Sequence, residues 1–170
     1  MPHVVTLCTG NAARSVMAGA LLAEAPGLVV STRGTHVIEG LPMSWRTADA
    51  IKALGVALNG HRSTQLVSVD LADTDLVLAM AREHVEYVRR RHPEAAARTG
   101  TLKRLARDLP ALDGPLDTRV AALSLGTVEL EPWEDVDDPA GCDADVFHAC
   151  AREIHGLLEP LGPLLRGEAG

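Results

Sequence analysis

Aromatic residues are almost missing from this chain: two tryptophans, one tyrosine and one phenylalanine make up 2% of its 170 residues. Without large rings, the core has to be assembled from alanine, valine and leucine. A hydrophobic content of 46% supplies enough of them for a globular rather than a disordered chain. Only three cysteines occur, widely spaced, which excludes a disulfide framework and fits a reducing compartment. Basic charge is also short. Sixteen Lys and Arg face 23 Asp and Glu, and the net charge of −7 argues against nucleic acid as a partner. No apolar run approaches a membrane span, because Glu24, Arg33, Asp70 and Asp73 interrupt every candidate. A signal peptide is not expected either, since His3 leads directly into a short strand-like run. No repeat, low-complexity tract or Pro/Gly/Ser linker divides the chain, so a single domain over residues 1–170 is expected, in the cytoplasm and without a membrane partner.

What is present is a regular alternation. Val4–Leu7, Leu28–Ser31 and Leu76–Met80 read as short apolar strands, the second of them buried. Helices are predicted over Arg14–Ala25, stopped by Pro26-Gly27, over Trp45–Leu54 with Gly55 as its C-terminal cap, and over Arg82–Arg91, closed by His92-Pro93. The run Arg89-Arg90-Arg91-His92 falls at a helix end, where cations favour the carbonyl pole. Residues 101–109 are ambiguous and are assigned a fourth short strand before Pro110, and 115–125 read as helix. A long final helix over Val146–Leu165 carries Val146, Cys150, Ile154, Leu157, Leu158 and Leu161 on one stripe, with Pro160 as a kink. Unbroken apolar strands alternating with helices predict an α/β architecture, a four-stranded parallel sheet with helices on both faces. In such sheets ligands sit at the carboxyl ends of the strands.

At the carboxyl end of the first strand stands Cys8-Thr9-Gly10-Asn11-Ala12-Ala13-Arg14-Ser15. Five residues between Cys8 and Arg14 are enough for a loop to wrap a tetrahedral anion with its backbone N–H groups turned inward. The helix opening at Arg14 aims its positive end at the same place. That field favours a thiolate at Cys8 and a phosphate dianion above it. Arg14 offers a planar fork for two phosphoryl oxygens. Gly10 and Asn11 both tolerate positive φ, so the loop can curl. Ser15 lies within reach of the sulfur and can hydrogen-bond the thiolate as it leaves. Thr9, Gly10, Asn11, Ala12, Ala13 and Ser15 are thus the expected substrate-binding cradle around a catalytic Cys8 and Arg14.

A thiolate that attacks phosphorus needs a proton donor for the departing oxygen. The stretch Glu131-Pro132-Trp133-Glu134-Asp135-Val136-Asp137-Asp138-Pro139-Ala140-Gly141 offers several, and Asp138 is selected because Pro139 stiffens the loop behind it. Asp135 and Asp137 compete for the same role.

These residues give the chain its resemblance to the low-molecular-weight protein tyrosine phosphatases of bacterial type, whose pattern is C-x-G-N-x-C-R-S near the start and an Asp-Pro loop late in the chain. The likeness extends through Thr32-Arg33-Gly34-Thr35-His36, Gly40-Leu41-Pro42-Met43, His61-Arg62-Ser63-Thr64-Gln65-Leu66 and Asp75-Leu76-Val77-Leu78 before Arg82-Glu83-His84. It implies the flavodoxin-like phosphatase fold, with Cys8 as nucleophile, Arg14 as phosphate clamp and Asp138 as general acid and then base. It also implies a network of Asn11, Ser15, Thr32 and His61 that holds the loop in shape. The implied reaction runs through a phosphocysteine on a phosphorylated protein or small phosphomonoester, without cofactor or metal, in a monomer or weak homodimer. Because Asp138 would stand beside a bound dianion, its protonated form is favoured and a mildly acidic optimum is expected.

The departures concern the pocket wall more than the chemistry. Ala13 replaces the family's second loop cysteine, Val16 its proline, and Ala12 a larger apolar residue; Ala140-Gly141 stands where an aromatic often follows the Asp-Pro pair. Trp45 and Trp133 are the remaining rings that could line the pocket. Phosphotyrosine on a protein is the leading substrate, with phosphoarginine as an alternative. An arsenate reductase on the same fold would need relay cysteines, and residues 82–137 contain none. A non-catalytic phosphate-binding module would have no use for the thiolate.

Overall fold

The computed structural model describes residues 1–168. Four strands, β1 (His3–Cys8), β2 (Val29–Gly34), β3 (Leu76–Ala79) and β4 (Thr99–Thr101), form one sheet in the order β2-β1-β3-β4. All three pairings are parallel, with Val5 opposite both Ser31 and Val77, and Leu78 opposite Gly100. The helices are α1 (Arg14–Ala23), α2 (Trp45–Ala53), α3 (Arg82–Arg91), α4 (Leu102–Asp108), α5 (Leu116–Ala122), α6 (Ala144–Leu158) and α7 (Leu161–Leu165).

Period-two alternation along the strands divides the core between the two faces of the sheet. Val4, Cys8, Leu76 and Leu78 turn to a large cluster that includes Val16 and Met17 of α1, Ile51 of α2 and Ile154 of α6. Val5, Leu7 and Val77 turn to a smaller one completed by Leu66, Leu71, Val88 and Ala95. Buried on both faces, β1 and β3 therefore read as continuous apolar runs.

Three expectations are corrected. The fourth strand lies at Thr99–Thr101, and residues 102–108 form α4 instead, capped by the Thr101 side chain, which accepts from the Arg104 N–H. The final helix is two helices: α6 ends at Leu158 and α7 starts at Leu161, because Pro160 has no N–H to continue the ladder. Strand β2 is not a buried strand but an edge strand, with Val29 exposed and only Gly34 of its six residues buried. Among the described residues no helix is long and apolar enough to cross a membrane.

Strand β1 has β2 on one side and β3 on the other, so the strand order reverses at β1. The loop after Cys8 thus opens at the switch point of the sheet, where ligands enter folds of this kind.

Candidate active site

The loop from Thr9 to Ala13 curls because Asn11 adopts φ 50°, while Gly10 does not need a positive φ. Asparagine is among the few side chains that accept this region, and here both the nitrogen and the oxygen of its amide are engaged. The fully buried Asn11 side chain donates from Nδ2 to Ser15 Oγ at 3.0 Å and accepts from the Thr64 N–H at 2.9 Å. Its own carbonyl takes hydrogen bonds from His61 Nε2 at 2.8 Å and Ser63 Oγ at 2.9 Å. The next carbonyl, of Ala12, is held by Thr47 Oγ1 of α2 at 2.9 Å. With its carbonyls turned outward to these donors, the loop presents its interior to an anion.

Ser15 Oγ stands 2.9 Å from Cys8 Sγ. Since Asn11 donates to that oxygen, the Ser15 hydroxyl hydrogen is free to point at the sulfur. Thr6 Oγ1 in turn donates to the Ser15 carbonyl at 2.7 Å and pins the head of α1. No side chain caps α1 at Ala13, so its first N–H groups face the loop uncompensated.

Arg14 is buried, and its guanidinium runs from the loop to the acidic segment. Nη1 donates to the Val136 carbonyl at 2.9 Å, and Nη2 lies 3.3 Å from Asp138 Oδ2. Half-exposed Asp138 also accepts from the Ala140 N–H at 3.0 Å through its other oxygen. A small cavity of about 90 Å³ is enclosed by Cys8, Gly10, Ala12, Ala13, Arg14, Asp138 and Ala140. It opens beside a second one of about 420 Å³ that shares Arg14 and Asp138 and is lined by Arg82, Glu83, Glu86, Asp135 and Asp137.

The competing carboxylates separate by their partners. Asp135 is gripped by the Arg82 backbone N–H at 2.8 Å and by its guanidinium, with Nη2 at 2.9 Å. Partial burial works against the Asp135 anion, but these hydrogen bonds outweigh it and hold its pKa below the usual range. Asp137 faces only the larger cavity. Asp138 alone of the three borders the cavity over Cys8. The segment is anchored further back by Glu134, fully buried, which accepts from Thr101 Oγ1 at 2.6 Å and from Arg104 Nε at 3.0 Å. Burial pushes the Glu134 carboxyl upward, but the bonds from Arg104, Thr101 and the Glu131 N–H prevail and its pKa is lowered.

Of the expected supporting residues, His61, Asn11 and Ser15 meet at the loop. Thr32 does not: its methyl packs where a side chain on Gly19 of α1 would stand, 2.3 Å from that position, and its hydroxyl makes no hydrogen bond to the loop among the described residues. Both tryptophans are occupied elsewhere, Trp133 beneath the Arg107 guanidinium at 4.1 Å and Trp45 against Arg46 at 4.9 Å. Cys150 is buried, and burial pushes its thiol up to about 12, which disfavours the thiolate that a relay would need. Several residues were missed by sequence reasoning. Gly34 is the most informative: a Cβ there would lie 2.6 Å from the Thr9 carbonyl oxygen, so only glycine lets β2 approach the loop. The quoted Thr-Arg-Gly-Thr-His stretch contained that signal, in a glycine at the end of a strand-like run.

A parallel α/β sheet with a thiol at its switch point, set in a loop shaped for a tetrahedral anion, defines a phosphate-handling α/β protein with a cysteine at its centre. The family model for low molecular weight phosphotyrosine protein phosphatases matches residues 3–118, and the chain belongs to that family. It is therefore a phosphatase of the hydrolase class. A protein-arginine-phosphatase of Geobacillus stearothermophilus is 31% identical over 171 residues, spanning 99% of each chain. The low molecular weight protein-tyrosine-phosphatase Etp of Escherichia coli K12 is 34% identical over 97 residues, covering 56% of this chain and 66% of the relative. Among solved structures, the YwlE arginine phosphatase from G. stearothermophilus superposes with a TM-score of 0.79 at 30% identity, over 99% of this chain and 95% of that one. A low molecular weight protein tyrosine phosphatase from T. tengcongensis gives 0.75 at 29% identity, over 95% and 97%.

Proposed function

We propose that the chain removes phosphoryl groups from proteins, with phosphotyrosine as the family's substrate, through a phosphocysteine formed on Cys8. The observation that carries this reading is Arg14, which stands at the head of α1 behind the Cys8 loop and touches Asp138 at 3.3 Å. One guanidinium thus joins the nucleophile's loop to a carboxylate that borders the same small cavity. In the first step the Cys8 sulfur attacks phosphorus in line and the Asp138 O–H protonates the departing oxygen. In the second, the Asp138 carboxylate takes a proton from water, the water oxygen bonds to phosphorus, and the S–P bond breaks. The Ser15 hydroxyl, 2.9 Å from the sulfur, supports the thiolate that returns.

A second reading, phosphoarginine, is favoured by two observations. No aromatic side chain lines either cavity, and Glu83, Glu86 and Asp137 place negative charge beside the site where a guanidinium would lie. The relatives similar from end to end include arginine phosphatases.

Hydrolysis of p-nitrophenyl phosphate by wild type, Cys8→Ser and Asp138→Ala, with reductant and across mildly acidic to neutral pH, tests the chemistry. Cys8→Ser is expected to abolish turnover and Asp138→Ala to lower kcat by about a hundredfold or more. A rate that still rises above neutral pH would remove Asp138 as the acid. Phosphotyrosine and phosphoarginine peptides compared by kcat/KM decide between the substrates.

A further inference from the structure

The first turn of α3 touches both loops of the site, although none of its residues borders the cavity over Cys8. His84 is 1% exposed, and both of its ring nitrogens are engaged. Nδ1 accepts the Ala81 N–H at 3.0 Å, which fixes the tautomer and leaves the proton on Nε2. Nε2 lies 2.9 Å from Thr9 Oγ1, so the imidazole donates to Thr9, the first residue after the nucleophile. The Thr9 hydroxyl hydrogen then turns to Glu83 Oε1 at 3.3 Å. Two residues before His84, Arg82 holds Asp135 on the acidic segment with its backbone N–H and its guanidinium.

We propose that this turn is a positioning device: His84 sets the phosphate loop through Thr9, Arg82 sets the acid loop through Asp135, and together they fix the spacing between Cys8 and Asp138. The proposal rests on the roles assigned to those two residues above. A histidine that only capped α3 would need the Ala81 bond alone, whereas here the second nitrogen crosses to a different element. The bond also persists across the working range of pH. Burial first, then the Arg14 charge, push the His84 pKa down to about 3, with Asp135 opposing and His36 adding to the depression. Glu83, at 3.4 Å from Nε2, is the remaining carboxylate that faces the ring.

Two amides separate the nitrogens, since asparagine imitates Nδ1 and glutamine imitates Nε2. His84→Asn keeps the helix cap and loses the reach to Thr9, so the inhibition constant of inorganic phosphate is expected to rise by about three- to tenfold. His84→Gln is expected to recover most of that loss, and Thr9→Val to reproduce it without adding to it in the double variant. Arg82→Met acts on the other loop. It is expected to lower kcat/KM, which reports the leaving-group step, several-fold more for phenyl phosphate, whose more basic leaving group depends more on the proton, than for p-nitrophenyl phosphate, with phosphate inhibition unchanged. Melting temperatures accompany every variant. Wild-type phosphate affinity in a folded His84→Asn, or an equal loss of kcat/KM for both leaving groups in Arg82→Met, overturns the positioning role. If His84→Asn does not fold, Thr9→Val with wild-type phosphate affinity overturns it instead. A wild type that turns over no p-nitrophenyl phosphate overturns the underlying assignment as well.

Discussion

Replacing Asn11 separates the two ways in which this residue holds the phosphate loop open, its backbone angle and its side-chain bonds. At φ 50° an alanine meets the steric penalty of the left-handed region, about 1–2 kcal/mol, which a glycine avoids. Either change also removes the amide that serves Ser15 Oγ and the Thr64 N–H, both at about 3 Å. Leaving a buried polar group without its partner costs about 1–3 kcal/mol. Asn11→Ala is therefore expected to lose about 2–5 kcal/mol in all. At about 2–4 °C per kcal/mol for a chain of this size, its Tm should fall by roughly 4–20 °C. Asn11→Gly should melt a few degrees above Asn11→Ala, yet bind inorganic phosphate just as poorly, because the Ser15 hydroxyl is no longer aimed. Thermal melting and phosphate inhibition of p-nitrophenyl phosphate hydrolysis read the two effects independently. Equal melting temperatures for the two variants, or wild-type phosphate affinity in both, would refute the reasoning.

Gly34→Ala places a methyl carbon 2.6 Å from the Thr9 carbonyl oxygen and 3.0 Å from the Asn11 nitrogen, both main-chain atoms that cannot swing aside. It should raise the phosphate inhibition constant more than tenfold if it folds, with a lowered Tm. Glu134→Ala leaves Arg104 buried without its carboxylate and should cost about 3–5 kcal/mol, seen in urea titrations. The lowered pKa of Glu134 means that its contribution is present above the ordinary glutamate range and is lost as pH falls through the folded value. Wild type should therefore lose more stability on acidification than Glu134→Gln, and parallel pH profiles would count against this. Cys150, buried with its thiol pushed up to about 12, should resist iodoacetamide at neutral pH in the folded protein, while exposed Cys142 reacts, as mass spectrometry of the labelled peptides would show.

Much of the site could be read locally. A nest of backbone N–H groups, a helix start and a strand end are short-range features. The run from Cys8 to Ser15 therefore marked the loop at the end of β1, and the apolar runs located β1 and β3, the two strands buried in the middle of the sheet, while the same signal misread β2 as buried. The fourth strand was misplaced because Thr99–Thr101 is three residues long and runs directly into α4, so no periodicity distinguishes it. Edge and centre also look alike in sequence, and only the strand order assigned β2 to the rim.

What the tertiary structure alone decided is how distant residues share hydrogen bonds. Composition left Asp135, Asp137 and Asp138 open, and it is the grip of Arg82 on Asp135 and the approach of Arg14 to Asp138 that tell them apart. Thr32 was expected at the loop, yet parallel pairing puts it beside Thr6, and its methyl fills the gap that Gly19 leaves. His84 gave no signal of its own, since a histidine in a charged helix start is usually a surface residue. These contacts join residues far apart in the chain, where neither side-chain period nor capping preference operates. The sequence by itself therefore determined the loop from Cys8 to Ser15 at the end of β1, and packing determined that Asp138, of the three carboxylates, borders the cavity over Cys8 and that Arg82 and His84 tie α3 to both segments.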